Sequence, residues 1–194
     1  MKIGIIDSGK GGLAVAKKIK KEEDQLCIIL DQGFFPYGNK SKEFLLKRSF
    51  YLANILVEMG NELIILACNT LSIVALSFLR SCFNIPILGV FEYFIPYLTE
   101  EYTLIGSKAT IAYAKEKYNA LVYDGTRFIE AIEKNQDISF YTNDLKKIKS
   151  KALLLGCTHF LSLSDIVFPI PVIQQMENLK KDIEKYRTEE KEPY

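Results

Sequence analysis

Several features are scarce in this chain, and most of these scarcities remove a class of function. Of its 194 residues, 25 are Lys or Arg and 24 are Asp or Glu, a net charge of +1. A protein that grips DNA or RNA through phosphates needs a basic face, so no nucleic-acid partner is expected. No apolar run is long and unbroken enough to span a bilayer, so no membrane partner is expected either. The four cysteines, Cys27, Cys68, Cys82 and Cys157, form no CxxC pair and lie far apart. Without a signal peptide, this predicts a reduced, cytoplasmic setting rather than a disulfide framework. His, Cys and carboxylates nowhere show metal-ligand spacing, so no metal is expected. No lysine is placed with the cysteines to form an imine. Tryptophan is missing, which says nothing about function, and histidine occurs once, at His159.

What the chain does have is a repeated strand. Residues 63–70 read Leu-Ile-Ile-Leu-Ala-Cys-Asn-Thr, and residues 152–159 read Ala-Leu-Leu-Leu-Gly-Cys-Thr-His. Each is an apolar run closed by a small residue, a thiol and hydrogen-bonding side chains. Such runs predict buried parallel strands, and ligands bind beyond the carboxyl ends of strands in doubly wound sheets. Cys68 and Cys157 therefore stand where such a fold does its chemistry. A helix is expected after each, and its amino end would draw the thiol below its ordinary acidity range, toward neutral.

With 48% hydrophobic and 25% charged residues, the chain can bury a core in one ordinary domain or two small ones. Strands are expected at 3–6, 26–30, 62–67, 86–90, 103–106, 121–123, 152–156 and 172–173, those at 26–30 and 152–156 buried. Helices are expected at 13–21, 42–59, 71–80, from about 107 to 117, and at 127–134, 144–150 and 176–186. Ser41 is the expected cap of the second, with Gly60 just past its end. This alternation predicts α/β architecture. Specifically, it predicts two doubly wound parallel-sheet domains related by pseudo-symmetry, with the active site in the cleft between them. The first would span 1–93 and the second, shorter, 94–173, joined near 93–100. A helix and tail at 174–194 would dock on a neighbour such as the first domain, fraying from 188. About eighty residues are few for a self-sufficient α/β unit, so self-association as a homodimer is a further expectation.

Among the candidate groups, Cys27 and Cys82 read as packing. The run Gly9-Lys10-Gly11-Gly12 hints at a phosphate loop but lacks the GxxxxGK[ST] spacing, which favours a tight turn. His159 gains interest as an acid or base because it lies two residues after Cys157.

Four motifs then occur in order: Asp7-Ser8-Gly9-Lys10-Gly11-Gly12-Leu13, Phe35-Pro36-Tyr37-Gly38, Ala67-Cys68-Asn69-Thr70 and Leu155-Gly156-Cys157-Thr158-His159. Together they resemble glutamate racemase, of the aspartate/glutamate racemase superfamily, over most of residues 2–160. The resemblance implies two α/β domains facing across a cleft, one catalytic cysteine from each, and no pyridoxal phosphate or other cofactor. Cys68 and Cys157 match the cysteines that exchange the α-proton of a glutamate substrate, and Asp7 and His159 match the groups that assist them. Ser8, Pro36, Tyr37, Gly38, Asn69, Thr70 and Thr158 match substrate contacts. Gly106-Ser107-Lys108-Ala109-Thr110 resembles a further family segment, adding Ser107 and Thr110, and Glu133 falls near a second-domain glutamate.

The chain departs from the pattern in its shorter second half. Gly125-Thr126-Arg127 replaces a Cys-Pro-Leu-like stretch, Phe160-Leu161 a Tyr-Pro, and Gln174-Gln175 an Asp-Ser. Two other readings therefore stand beside glutamate racemisation. One is a non-catalytic descendant that binds a ligand or protein. The other is a racemase for aspartate or another small acid.

Overall fold

The computed structural model describes residues 1–163 and 168–189. It contains two parallel four-stranded sheets with the same connectivity. The first runs β2-β1-β3-β4, with β1 Lys2–Asp7, β2 Gln25–Leu30, β3 Leu63–Leu66 and β4 Ile87–Gly89. The second runs β6-β5-β7-β8, with β5 Tyr102–Gly106, β6 Leu121–Asp124, β7 Ala152–Gly156 and β8 Val172–Ile173. Every residue of β3 and β7 is buried, which is why both read as unbroken apolar runs. Ile6 lies opposite Leu66 and Gly106 opposite Gly156, so the ends of β1 and β3, and of β5 and β7, are neighbours. In each sheet the strand order reverses between these two strands, the point at which an open sheet binds its ligand. The chain builds that point twice.

Alternation along β1 sends Ile3 and Ile5 to one face and Ile6 to the other. On the first face, Ile3, Ile5, Leu63 and Ile65 pack with Val15 and Ile19 of α1 (Gly11–Ile19). Leu179 and Ile183 of the last helix (Met176–Glu189) join the same cluster, so that helix lies on the first sheet. On the second face, Ile6, Ile64 and Leu66 meet Leu45, Leu52 and Leu56 of α2 (Lys42–Glu58) and Leu71 and Leu79 of α3 (Asn69–Cys82). In the second sheet, Leu104 and Leu154 pack on Phe91 and Phe94, and on Ala114 of α4 (Lys108–Tyr118). Its other face meets Phe128 and Ile129 of α5 (Thr126–Glu133) and Leu145 of α6 (Ser139–Leu145). Each of these large aliphatic or aromatic side chains contributes about 1.5–3 kcal/mol by leaving water.

Local signals hold where side chains satisfy backbone groups. Ser41 accepts from the Phe44 amide at 3.2 Å to start α2, and Gly60, at φ +76°, ends it. Elsewhere tertiary packing overrides the sequence pattern. β2 is an edge strand and is only partly buried, contrary to the expected buried strand. The helix expected at 144–150 lies instead at Ser139–Leu145. Asp137 accepts from the Ser139 amide at 3.0 Å, Tyr141 stacks on Phe128 at 5.3 Å, and Leu145 is buried. The connection near 93–100 holds a 3-10 segment, Val90–Tyr97. Cys157 is followed by one 3-10 turn, Thr158–Ser162, rather than by an α-helix. The expected frayed tail lies, from residue 190 on, outside the described residues. Among those residues, no helix is long and apolar enough to cross a membrane.

Candidate active site

Cys68 caps the start of α3, and Cys157 sits directly after β7. Both line one narrow cavity of about 30 Å³, between the ends of the two sheets. Asp7, Ser8, Asn69 and Thr70 join Cys68 there from the first sheet, with Pro36, Tyr37 and Gly38 from the loop after β2. Ser107, Thr110, Thr158 and His159 join Cys157 from the second. Every site residue expected from sequence except Glu133 therefore lines this cavity.

On the Cys68 side, Asp7 is buried. Its Oδ1 accepts from the Gly9 amide at 3.0 Å and its Oδ2 from Thr158 Oγ1 at 2.9 Å. Burial pushes the Asp7 carboxyl above its ordinary range, although His159 and these hydrogen bonds pull the other way. Ser8 Oγ donates to Cys68 Sγ at 3.7 Å. Burial, and after it the charge of Asp7, pushes the Cys68 thiol up to about 12. The expected lowering by the helix start is overturned here: the Leu71 amide does favour the thiolate, but desolvation is larger.

On the Cys157 side, His159 Nδ1 lies 3.2 Å from the sulfur and Nε2 lies 2.7 Å from Glu133 Oε2. Burial alone would push the imidazole down. The Cys157 sulfur, Glu133 and Asp7 outweigh it and hold His159 up at about 10, so the ring is charged at neutral pH and both nitrogens donate. Glu133 stands behind His159 rather than in the cavity. Its carboxylate also accepts from the Lys10 amide at 3.0 Å and from Gln32 Nε2 at 3.3 Å. These contacts outweigh its burial and hold the carboxyl below its usual range.

Two further features face the cavity. Thr70, Ser107 and Thr110 form a hydroxyl triangle with sides of 3.1, 3.2 and 3.0 Å, at the starts of α3 and α4. Two helix amino ends converge there and favour an anion. Asn69 is 3% exposed, and among the described residues neither its Oδ1 nor its Nδ2 has a hydrogen-bond partner.

The glycines of the first loop allow close approach of neighbouring segments. A Cβ on Gly11 would lie 2.3 Å from Thr158 Oγ1, and one on Gly9 would lie 2.9 Å from Glu133 Oε2. No pattern in the sequence points to Gln32, Ile129 or Arg48 as neighbours of the site. Phe35, whose ring lies 5.5 Å from that of His159, belongs to a loop with too many apolar residues for ordinary surface, which was the available signal. Among the described residues, no group of three or more His, Cys, Asp or Glu could hold a metal ion.

No family model matches the chain. The glutamate racemase of Hydrogenobaculum sp. is 36% identical over 188 residues, covering 85% of this chain and 73% of that protein. The glutamate racemase of Buchnera aphidicola subsp. Schizaphis graminum is 32% identical, covering 94% of this chain and 83% of that protein. Among solved structures, glutamate racemase from Francisella tularensis in complex with D-glutamate matches with a TM-score of 0.80 and 26% identity, covering 98% of this chain and 82% of that one. The aspartate racemase of Picrophilus torridus, at 19% identity and a TM-score of 0.68 over 96% of this chain and 94% of that one, shares the fold. Given relatives of this identity and mutual coverage, the chain belongs to the glutamate racemase family, whose members are amino-acid isomerases.

Proposed function

We propose that this protein racemises glutamate without a cofactor, with Cys68 and Cys157 acting on opposite faces of the α-carbon. The observation that carries this reading is that two thiols, placed at the equivalent switch points of two like sheets, line a single cavity. Racemisation removes a weakly acidic proton from one face and returns one to the other. Two groups that exchange the roles of base and acid do this symmetrically.

The two sulfurs are prepared differently. Cys68, held up at about 12, carries its proton at neutral pH and is the donor in the resting state. Cys157 receives a hydrogen bond from the charged His159 ring, whose Nδ1 lies 3.2 Å from the sulfur. This arrangement suits abstraction by Cys157 from L-glutamate and delivery by Cys68. The reverse direction needs the proton on Cys157 and the charge on Cys68, where Ser8 is the partner. Asn69, the hydroxyl triangle and the amino ends of α3 and α4 would hold the carboxylates and stabilise charge developing on the substrate.

A cavity of about 30 Å³ has room for one or two waters, so glutamate enters only if the halves part. The proposal therefore keeps 1–93 and 94–173 as the units that move, and a homodimer as the form that supports the smaller one. Sedimentation and hydrogen exchange test both points.

The deciding experiment is incubation with L- or D-glutamate in heavy water, with chelator and a carbonyl-trapping reagent present. Both enantiomers should lose the α-proton signal and converge on the racemate. Exchange abolished by either reagent would assign the wrong chemistry. No exchange, with glutamate still bound, would support a binding module, and faster exchange of aspartate would move the substrate.

A further inference from the structure

Asp31 and Arg48 do not line the cavity, yet they pair with each other, and one hydrogen bond joins that pair to its wall. Arg48 Nε donates to Asp31 Oδ2 at 2.9 Å and Nη2 to Oδ1 at 2.6 Å, a bidentate pair. Tyr37 donates its hydroxyl to the same Oδ2 at 2.5 Å. The Arg48 guanidinium is itself fixed by two rings, 4.8 Å from the centre of Phe34 and 5.3 Å from that of Tyr51. Burial would raise the Asp31 carboxyl, but the hydrogen bonds from Arg48 and Tyr37 outweigh it and keep it below its ordinary range. The pair is therefore ionic at neutral pH.

Because its hydroxyl is committed to Asp31, Tyr37 offers no donor to a substrate. Its ring shares an apolar cluster with Cys68, and both residues line the cavity. Tyr37 is 1% exposed, so its ring takes space that water would otherwise occupy. Desolvation is the largest cause of the raised Cys68 thiol. The other sulfur faces His159 and lies in a different cluster.

We propose that Asp31 and Arg48 are positioning residues that pin the Tyr37 ring as the dry wall beside Cys68, and so govern proton transfer at that sulfur and not at Cys157. The catalytic part of this inference rests on the two-thiol reading, whereas the clamp itself can be tested without turnover. A tighter wall keeps the proton on Cys68. A looser one admits water and lets the thiol ionise more readily.

The test is alkylation of the full-length protein by iodoacetamide at pH 8, resolved by peptide mass spectrometry. Cys157 and the exposed Cys82 serve as internal references. At pH 8, well below about 12, the rate at Cys68 scales with its small thiolate fraction. Lowering its pKa by about one unit therefore speeds the reaction about tenfold. Asp31→Asn and Arg48→Met should accelerate Cys68 by about tenfold or more, with Cys157 changed less than about twofold. The same variants should lose kcat more than KM, and Arg48→Lys should recover most of the slow alkylation. An unchanged Cys68 rate in folded Asp31→Asn would overturn the proposal, as would Cys68 and Cys157 accelerating together, which means general loosening. If Arg48→Met does not fold, the nearly isosteric Asp31→Asn decides. Wild-type protein that exchanges no α-proton would overturn the two-thiol reading and leave the thiol rates to judge the clamp.

Discussion

Glu133→Gln keeps the size of the side chain and removes the charge that faces His159 Nε2 at 2.7 Å. His159 stands at about 10 against an ordinary 6.5. That difference, about 5 kcal/mol, is what remains after burial has opposed the contributions of Cys157, Glu133 and Asp7. A single opposite charge at this range is worth about 1–3 pH units. Glu133→Gln should therefore lower the His159 value by about 1–2 units, leaving the ring still charged at pH 7. Activity at pH 7 should fall by no more than about tenfold, while the alkaline limb of the pH profile moves toward neutral by the same 1–2 units.

The stability effect has a definite sign. Because the folded value is raised, the contribution of His159 is complete below about 6.5 and is lost as pH rises to about 10. The variant should thus be less stable than wild type by about 1.4–2.7 kcal/mol at pH 7, with the gap closing toward pH 10. His159 is the chain's one histidine, so its ring signals in an NMR titration need no assignment. A wild-type ring titrating near 6.5, or a variant shifted by less than about 0.3 unit, would refute the reasoning.

Three further outcomes follow from the same geometry. Asp7 is raised by burial, so its contribution to stability falls as pH rises through its folded value. Asp7→Asn should abolish racemisation yet gain in melting temperature relative to wild type between acid and neutral pH, and a constant difference would contradict this. Gly11→Ala gains up to about 1 kcal/mol of helix propensity. It also drives a Cβ to 2.3 Å from Thr158 Oγ1 and 3.0 Å from the His159 amide nitrogen, so a net loss of about 1–2 kcal/mol and lowered activity are expected by denaturant titration and assay. Ser41→Ala removes the cap of α2 and should cost about 1 kcal/mol with activity unchanged. Lost activity there would tie α2 to the site more closely than its cap implies.

The parts legible in sequence are those governed by short-range chemistry. β3 and β7 announced themselves as apolar runs because both faces are covered. Ser41 and Gly60 marked the ends of α2 because capping is local. The cavity residues were legible through motif resemblance, and the two sheets' shared connectivity explains why like motifs end at like places. What could not be read depends on distant partners. α6 is placed by Tyr141 on Phe128 and by buried Leu145, so the lysine-rich stretch that follows is left outside it. The acidity of Cys68 is set by the depth of its burial and by Asp7, sixty-one residues earlier in the chain, rather than by the helix it starts. Arg48 carried no signal at all, because its partners Asp31 and Phe34 come from another loop. The contacts of Glu133 could not be read either, since only the fold brings Lys10, Gln32 and His159 around it.

The central claim, one thiol for each face of the α-carbon, is tested most directly by single-enantiomer proton abstraction in the two serine variants. A hydroxyl in place of a thiol removes an accessible base at one face and leaves the other intact. The probe is a glutamate analogue carrying a β-leaving group, whose elimination reports abstraction without requiring reprotonation. Cys68→Ser should lose elimination from the D-analogue far more than from the L-analogue, Cys157→Ser should show the reverse, and neither should racemise glutamate. If both variants lose both enantiomers equally, or if Cys157→Ser still racemises at the wild-type rate, the two-thiol account is wrong.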